Sequence, residues 1–194
     1  MWGAMKYHAA HLADFNGRDA RQTCWYWFLF LFLVNMAIGL LMSVPMTMSA
    51  MATSMAAARG GDPVAAQAAM MSQMAESIRP MVLVGIVLGL INIALIAASF
   101  VRRLHDSGKP GLWAALAGLI YLGTLALSWA NVDRVIAMMR EAAESGAAHP
   151  GLAMPAQVGW QSVLGYVPIV IVIVFGVMKS DPGANRYGEA PVRF

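Results

Sequence analysis

The chain reads as an all-α membrane protein, a four-transmembrane-helix bundle with an additional amphipathic or extended helix in each outside loop. Three observations carry that reading. Charged residues make up only 12% of the 194 residues and hydrophobic ones 59%, with a mean hydropathy of +0.62, whereas a soluble domain carries about 25% charge. Four apolar stretches of bilayer length contain no charged residue. Between them, connections rich in Lys and Arg alternate with connections poor in them.

A membrane helix needs about 20 mostly apolar residues to cross a hydrocarbon core of about 30 Å. The four stretches are residues 24–42, 81–101, 111–130 and 158–178, placed within a single integral-membrane domain, 1–194. Trp25, Trp27, Trp113, Trp129 and Trp160 lie near their ends, where amphipathic rings favour the headgroup level. Pro168 is expected to kink the fourth helix without ending it, because neighbouring helices can satisfy the freed carbonyl. Residues 1–23 precede the first stretch, whose apolar core is too long for a signal peptide, so it reads as retained.

Orientation follows from the cations. Lys6, Arg18 and Arg21 precede the first span, Arg102, Arg103 and Lys109 join the second to the third, and Lys179, Arg186 and Arg193 lie in the tail. The outside loops, 43–80 and 131–157, hold only Arg59, Arg79, Arg134 and Arg140. The positive-inside bias then puts the N-terminus, the second connection and the C-terminus in the cytoplasm.

Each outside loop carries a helical signal. Asp62 followed by Pro63 reads as an N-cap with proline at the first helical position, starting a helix to about Ile78 that leads into the second span. In the other loop Val132, Val135, Ile136 and Met139 recur at helical spacing opposite Asp133, Arg134, Arg140 and Glu144. That is an amphipathic helix, lying on the membrane or extending the third span, with Gly146 and Pro150 to end it.

Inside the bundle, Asn35 and Asn92 fall at one depth, about 14–16 Å from the cytoplasmic end, which suggests an interhelical hydrogen bond. Gly85 and Gly89 form a GxxxG spacing on nearly the same face as Asn92, where a neighbouring backbone could approach closely. Extending these faces brings Ser99, Arg103 and Arg21 inward at the rim and turns Arg102 toward headgroups. Asp106, Asp19, Asp181 or a lipid phosphate would then supply the anion.

Three short motifs add to this: FNGRDARQTCWYW (Phe15–Trp27), RRLHDSGKPGLW (Arg102–Trp113) and PGANRYGEAP (Pro182–Pro191). In this order and position they resemble the YhaH-like inner-membrane proteins, the family catalogued as domain of unknown function 805. That family usually has Ser-Gly-Trp-Trp where this chain has Pro110-Gly111-Leu112-Trp113, and its outside loops are shorter. The resemblance implies a small bacterial inner-membrane protein with no established activity.

The motif residues Arg18, Arg21, Arg102, Arg103, His105, Asp106, Asn185 and Tyr187 all map to the cytoplasmic or interfacial side. One reading makes them topology anchors and caps, with Asp106-Ser107-Gly108 as a tight turn and Pro110 starting the third helix. The sharper reading is an anion site for a phospholipid headgroup or an acidic partner segment. A transporter or channel is the main alternative, although no Asp, Glu, His or Arg lies inside a span and paired helix breaks are lacking. An enzyme is not expected: HExxH, GxSxG and Walker patterns are missing.

No cofactor is expected either. His8, His11, His105 and His149 lie outside the spans, which suits haem poorly, and the lone Cys24 excludes an intrachain disulfide or a CxxC metal site. Met46, Met48, Met51 and Met55, with Met70, Met71 and Met74, crowd the first outside loop. Thioethers suit Cu(I), while methionine equally fills apolar helix faces. The expected partners are the lipid bilayer, anionic phospholipid, and a membrane-protein partner or second copy. A net charge of +3 without a basic stripe does not suit nucleic acid.

Overall fold

The computed structural model describes residues 1–60, 63–145 and 156–191, and the described chain is helical almost throughout. The elements are α1 (Trp2–Ala10), α2 (Arg21–Ala58), α3 (Pro63–Asp106), α4 (Leu112–Ser145) and α5 (Ala156–Val177). Among the described residues, three helices, α2, α3 and α4, are long and apolar enough to cross a membrane. The described apolar run of α5 covers Val163–Val177.

Where they are described, the loops expected at 43–80 and 131–157 are largely helix. Pro45 lies inside α2, Pro80 inside α3 and Pro168 inside α5, and none ends its helix. At 1.5 Å per residue, α2 with 38 residues and α3 with 44 are about 57 and 66 Å long, roughly twice a hydrocarbon core. The amphipathic segment after residue 130 extends α4 and is not a separate surface helix. The Asp62 cap and the Gly146 and Pro150 stop lie outside the described residues.

Burial is inverted relative to a soluble domain. The largest fully buried side chains include Arg102, Arg103, His8, Asp19 and Asp106, whereas Phe32, Leu41, Leu119 and Ile169 are exposed. Water would penalise that arrangement; lipid, as apolar as leucine, favours it. The chain is a multi-pass, membrane-embedded helical protein.

The chain divides into two compact units, Met1–Asn35 with Leu88–Thr124 and Ser162–Phe194, and Met36–Val87 with Leu125–Gln161. In the first, Phe100, Leu104 and Ala117 form the buried centre, with Phe28, Ile96, Ile171 and Phe175 packed against it. Trp25 and Trp27 turn into this unit: their indole N–H groups donate to Gly176 O at 3.1 Å and Leu95 O at 3.0 Å. Those backbone acceptors satisfy the polar end of both rings. Asn35 and Asn92 exchange two hydrogen bonds of 2.9 Å, each amide also donating to its own helix at Leu31 O and Leu88 O.

In the second unit Ala50, Met71, Ala75 and Val132 are buried. Gln73 Nε2 donates to Ser49 Oγ at 2.9 Å, Asn131 Nδ2 donates to Gln161 Oε1 at 3.1 Å, and Arg79 pairs with Asp133 at the surface. The close approach expected at Gly85 does not occur. That residue is exposed, with no atom within 4 Å of where a Cβ would stand, whereas Gly89, one turn on along the same face, is buried.

Candidate functional site: a buried ion cluster

The cluster is built on the end of α3. Arg103 and Asp106 occupy its last turn, with Arg102 immediately before it, and the helix dipole there favours cations. A glycine cap stops the helix. Lys109 N–H donates to Leu104 O at 2.9 Å and Gly108 N–H to His105 O at 3.1 Å, with Gly108 at φ +68. That is the Schellman arrangement, which only glycine adopts without strain. Pro110 precedes helix α4 and does not start it; Gly111 O accepts the Ala114 and Ala115 N–H groups ahead of the first helical residue, Leu112.

Asp106 is fully buried and is shared by two guanidiniums. Arg18 Nε and Nη2 donate to its Oδ1 at 3.1 and 2.9 Å, and Arg103 Nη1 donates to its Oδ2 at 2.6 Å. The remaining donors go to backbone carbonyls. Arg18 reaches Gly183 O at 2.5 Å, Asp181 O at 2.8 Å and Gly188 O at 3.3 Å. Arg103 reaches Gly176 O at 3.2 Å and also Met178 O. These last two carbonyls belong to the C-terminal end of α5, which has no intrahelical partners to offer them, so Arg103 caps that helix.

Arg102 is held by a second set. Its Nε donates to Asp19 Oδ2 at 3.1 Å, its Nη1 to His11 O at 2.9 Å and to Asp14 O, and its Nη2 to His8 Nδ1 at 3.2 Å. Asp19 N–H returns a bond to Arg102 O at 3.1 Å. With Nδ1 as acceptor, His8 is neutral and its Nε2–H points to Thr23 O at 3.3 Å. Burial first, and Arg102 second, lower its pKa to about 4. Burial raises the Asp19 pKa to about 6 against the opposing pull of Arg102.

The C-terminal tail closes the cluster. Asn185 and Gly188 exchange backbone bonds of 3.0 Å, and Asn185 Oδ1 accepts from Tyr187 N–H at 2.9 Å. The turn so made places Tyr187 flat on His105, ring centres 3.8 Å apart and 6° from parallel. Asn185 Nδ2 donates to His105 O at 2.9 Å, and Asp181 N–H to Asp106 O at 2.8 Å.

Arg18, Arg102, Arg103, His105, Asp106, Asn185 and Tyr187 therefore converge. Arg21 does not. It is exposed, and its one side-chain hydrogen bond among the described residues is to Val177 O at 3.5 Å. As the first residue of α2 it stands about 60° off the line of the buried Cys24, and its long side chain swings outward. Arg102 is the reverse correction: expected among headgroups, it is 1% exposed. Helical periodicity treated the other spans as its only neighbours, whereas α1 and the segment to Asp19 fold over that face. His8 was missed for the same reason, since residues 2–10 have no apolar stripe that would announce a helix.

Among the methionines, Met48, Met51 and Met55 are exposed on one face of α2. Met46 is half-buried and lies about 160° from Met48, so the expected group of four does not share a face.

The class of protein defined here is a helical, multi-pass membrane protein that lacks recognisable catalytic motifs and gathers its buried charges into one cluster. The chain belongs to the family described as protein of unknown function DUF805, whose model matches residues 12–189. That match takes in the first two motifs and the third as far as Glu189, and leaves α1 outside. No curated protein and no solved structure matches the chain.

Proposed function

We propose that this is a four-crossing inner-membrane protein of the YhaH-like kind, with both ends in the cytoplasm, acting as a non-catalytic scaffold or binding element. On this reading the cluster is a clasp that fixes the cytoplasmic cap, and anion recognition falls to the cations it leaves outside. The observation that carries it is the engagement of all three side-chain nitrogens of Arg18, Arg102 and Arg103 by Asp106, Asp19, His8 and backbone carbonyls. A ligand phosphate would have to displace those partners.

A groove of about 490 Å³ in the same unit offers the alternative, lined by Arg21, Gln22, Lys179, Ser180, Asp181 and Pro191. Arg21 and Lys179 are exposed, and Asp181, the acidic member, is engaged by Asn185 at 3.1 Å. Two cations beside the end of a span suit the headgroup of an anionic phospholipid. The test is lipid retention by mass spectrometry after purification in mild detergent from mixed anionic and zwitterionic membranes. Arg21→Gln with Lys179→Gln is expected to lose the anionic lipid and keep the fold. Retention equal to that of the unaltered protein would refute the site.

A further inference from the structure

Beyond Met42, α2 continues to Ala58 without a charged residue. Its hydroxyls bond back to the helix itself: Ser49 Oγ to Met46 O at 2.9 Å, Thr53 Oγ1 to Ser49 O at 3.0 Å and Ser54 Oγ to Met51 O at 2.9 Å. One face packs within its unit, where Ala50 is buried and Ser49 accepts from Gln73. Away from that face stand Met48, Met51 and Met55, which are 68, 63 and 52% exposed.

At 100° per residue the three fall within an arc of about 60°, and successive Cβ atoms are about 5–6 Å apart. Methionine ordinarily fills irregular gaps in a core, but exposure on this scale means these three fill none in this chain. What they present together is three flexible, neutral, soft sulfur donors. The helix face that carries them holds no carboxylate or imidazole to attract a harder ion, and soft thioethers select Cu(I) over divalent ions that prefer oxygen or nitrogen.

We propose that Met48, Met51 and Met55 form a surface site for a soft monovalent cation, Cu(I) in the cell and Ag(I) as its redox-inert probe. Met51, the central donor, is within reach of both others; Met46 takes no part. The site stands independently of the anion groove. Neutral ligands on an exposed helix face let the ion exchange readily, which suits capture and hand-over more than storage.

The experiment uses the full chain in nanodiscs with its methionine methyl groups labelled with carbon-13. On titration with Ag(I), three of the 16 methionine signals are expected to shift together and to saturate at one ion per chain. In competition with a Cu(I) chelator, Met51→Leu is expected to weaken binding by at least about tenfold, since loss of even an outer-shell partner costs about that much. Met46→Leu and Met71→Leu should bind as the parent does. Leucine keeps the volume and apolarity of methionine, so the fold is retained. Absent shifts, shifts spread evenly over other exposed methionines such as Met70 and Met81, or parent-like binding by Met51→Leu would each overturn the site.

Discussion

Replacing Asp106 by Asn removes one negative charge and almost no volume. The carboxylate is 0% exposed and lies within 3.1 Å of Arg18 and 2.6 Å of Arg103. Its loss leaves both guanidiniums buried and facing a neutral amide whose NH₂ cannot accept. Breaking a buried ion pair costs about 3–5 kcal/mol. Two pairs sharing one carboxylate do not add in full, so the expected loss is about 5 kcal/mol, the upper end for one pair. A typical domain has only about 5–15 kcal/mol in total.

Unfolding in a defined detergent, followed through the tryptophans as denaturant is raised, reads this difference directly. Asp133→Asn is the internal control. It breaks the Arg79 pair, whose side chains are 53 and 73% exposed, and should cost less than about 1 kcal/mol. If Asp106→Asn is no more destabilising than Asp133→Asn, the cluster is open to water and the clasp is refuted.

His8 makes stability depend on pH. Its folded pKa of about 4 lies below the ordinary 6.5, so its contribution is complete above pH 6.5 and is lost as pH falls toward 4. Asp19, raised from 3.8 to about 6, works the other way: its contribution is complete below 3.8 and is lost as pH rises through 6. The two oppose each other across one window. His8→Gln should therefore gain stability on acidification relative to the parent, and Asp19→Asn should lose it more steeply. Unfolding midpoints at neutral pH and at about pH 4.5 check both signs. At Gly108, a Cβ would meet Asp181 Oδ2 at 2.6 Å with φ at +68. Gly108→Ala is expected to cost at least about 1–2 kcal/mol from the backbone alone; an unchanged unfolding midpoint would contradict the tight turn.

The sequence announces what periodicity and length encode. Charge-free stretches mark the apolar helices, and equal depth pairs Asn35 with Asn92 across two of them. The Pro63 start and the amphipathic run after residue 130 are legible as helix, but their continuity with the spans is not. Pro45 and Pro80 look like breaks, yet a helix can carry a proline when its surroundings re-satisfy the freed carbonyl. The site is half legible. Arg103 and Asp106 sit three apart on one helix and can be paired from spacing. Arg102 and His8 meet through contacts separated by 94 residues, made by a short helix without an apolar stripe, and no local rule reaches that far.

The cluster also bears on how a chain so poor in charge could acquire one orientation. Of the nine cations on the proposed cytoplasmic side, Arg18, Arg102 and Arg103 end up buried and neutralised. Arg102 follows all of its acceptors in the chain, but Arg18 and Arg103 precede acceptors that lie in α5 and the tail, so until those are made the two are incompletely paired charges that resist translocation. Arg18 finds its last acceptors at Gly183 and Gly188, 165 and 170 residues away, and Arg103 finds its own at Gly176 and Met178. The clasp cannot close until the tail has been made. On the proposed topology these two arginines thus serve twice, first incompletely paired to set the direction of the spans and then fully paired to lock the ends of the chain together.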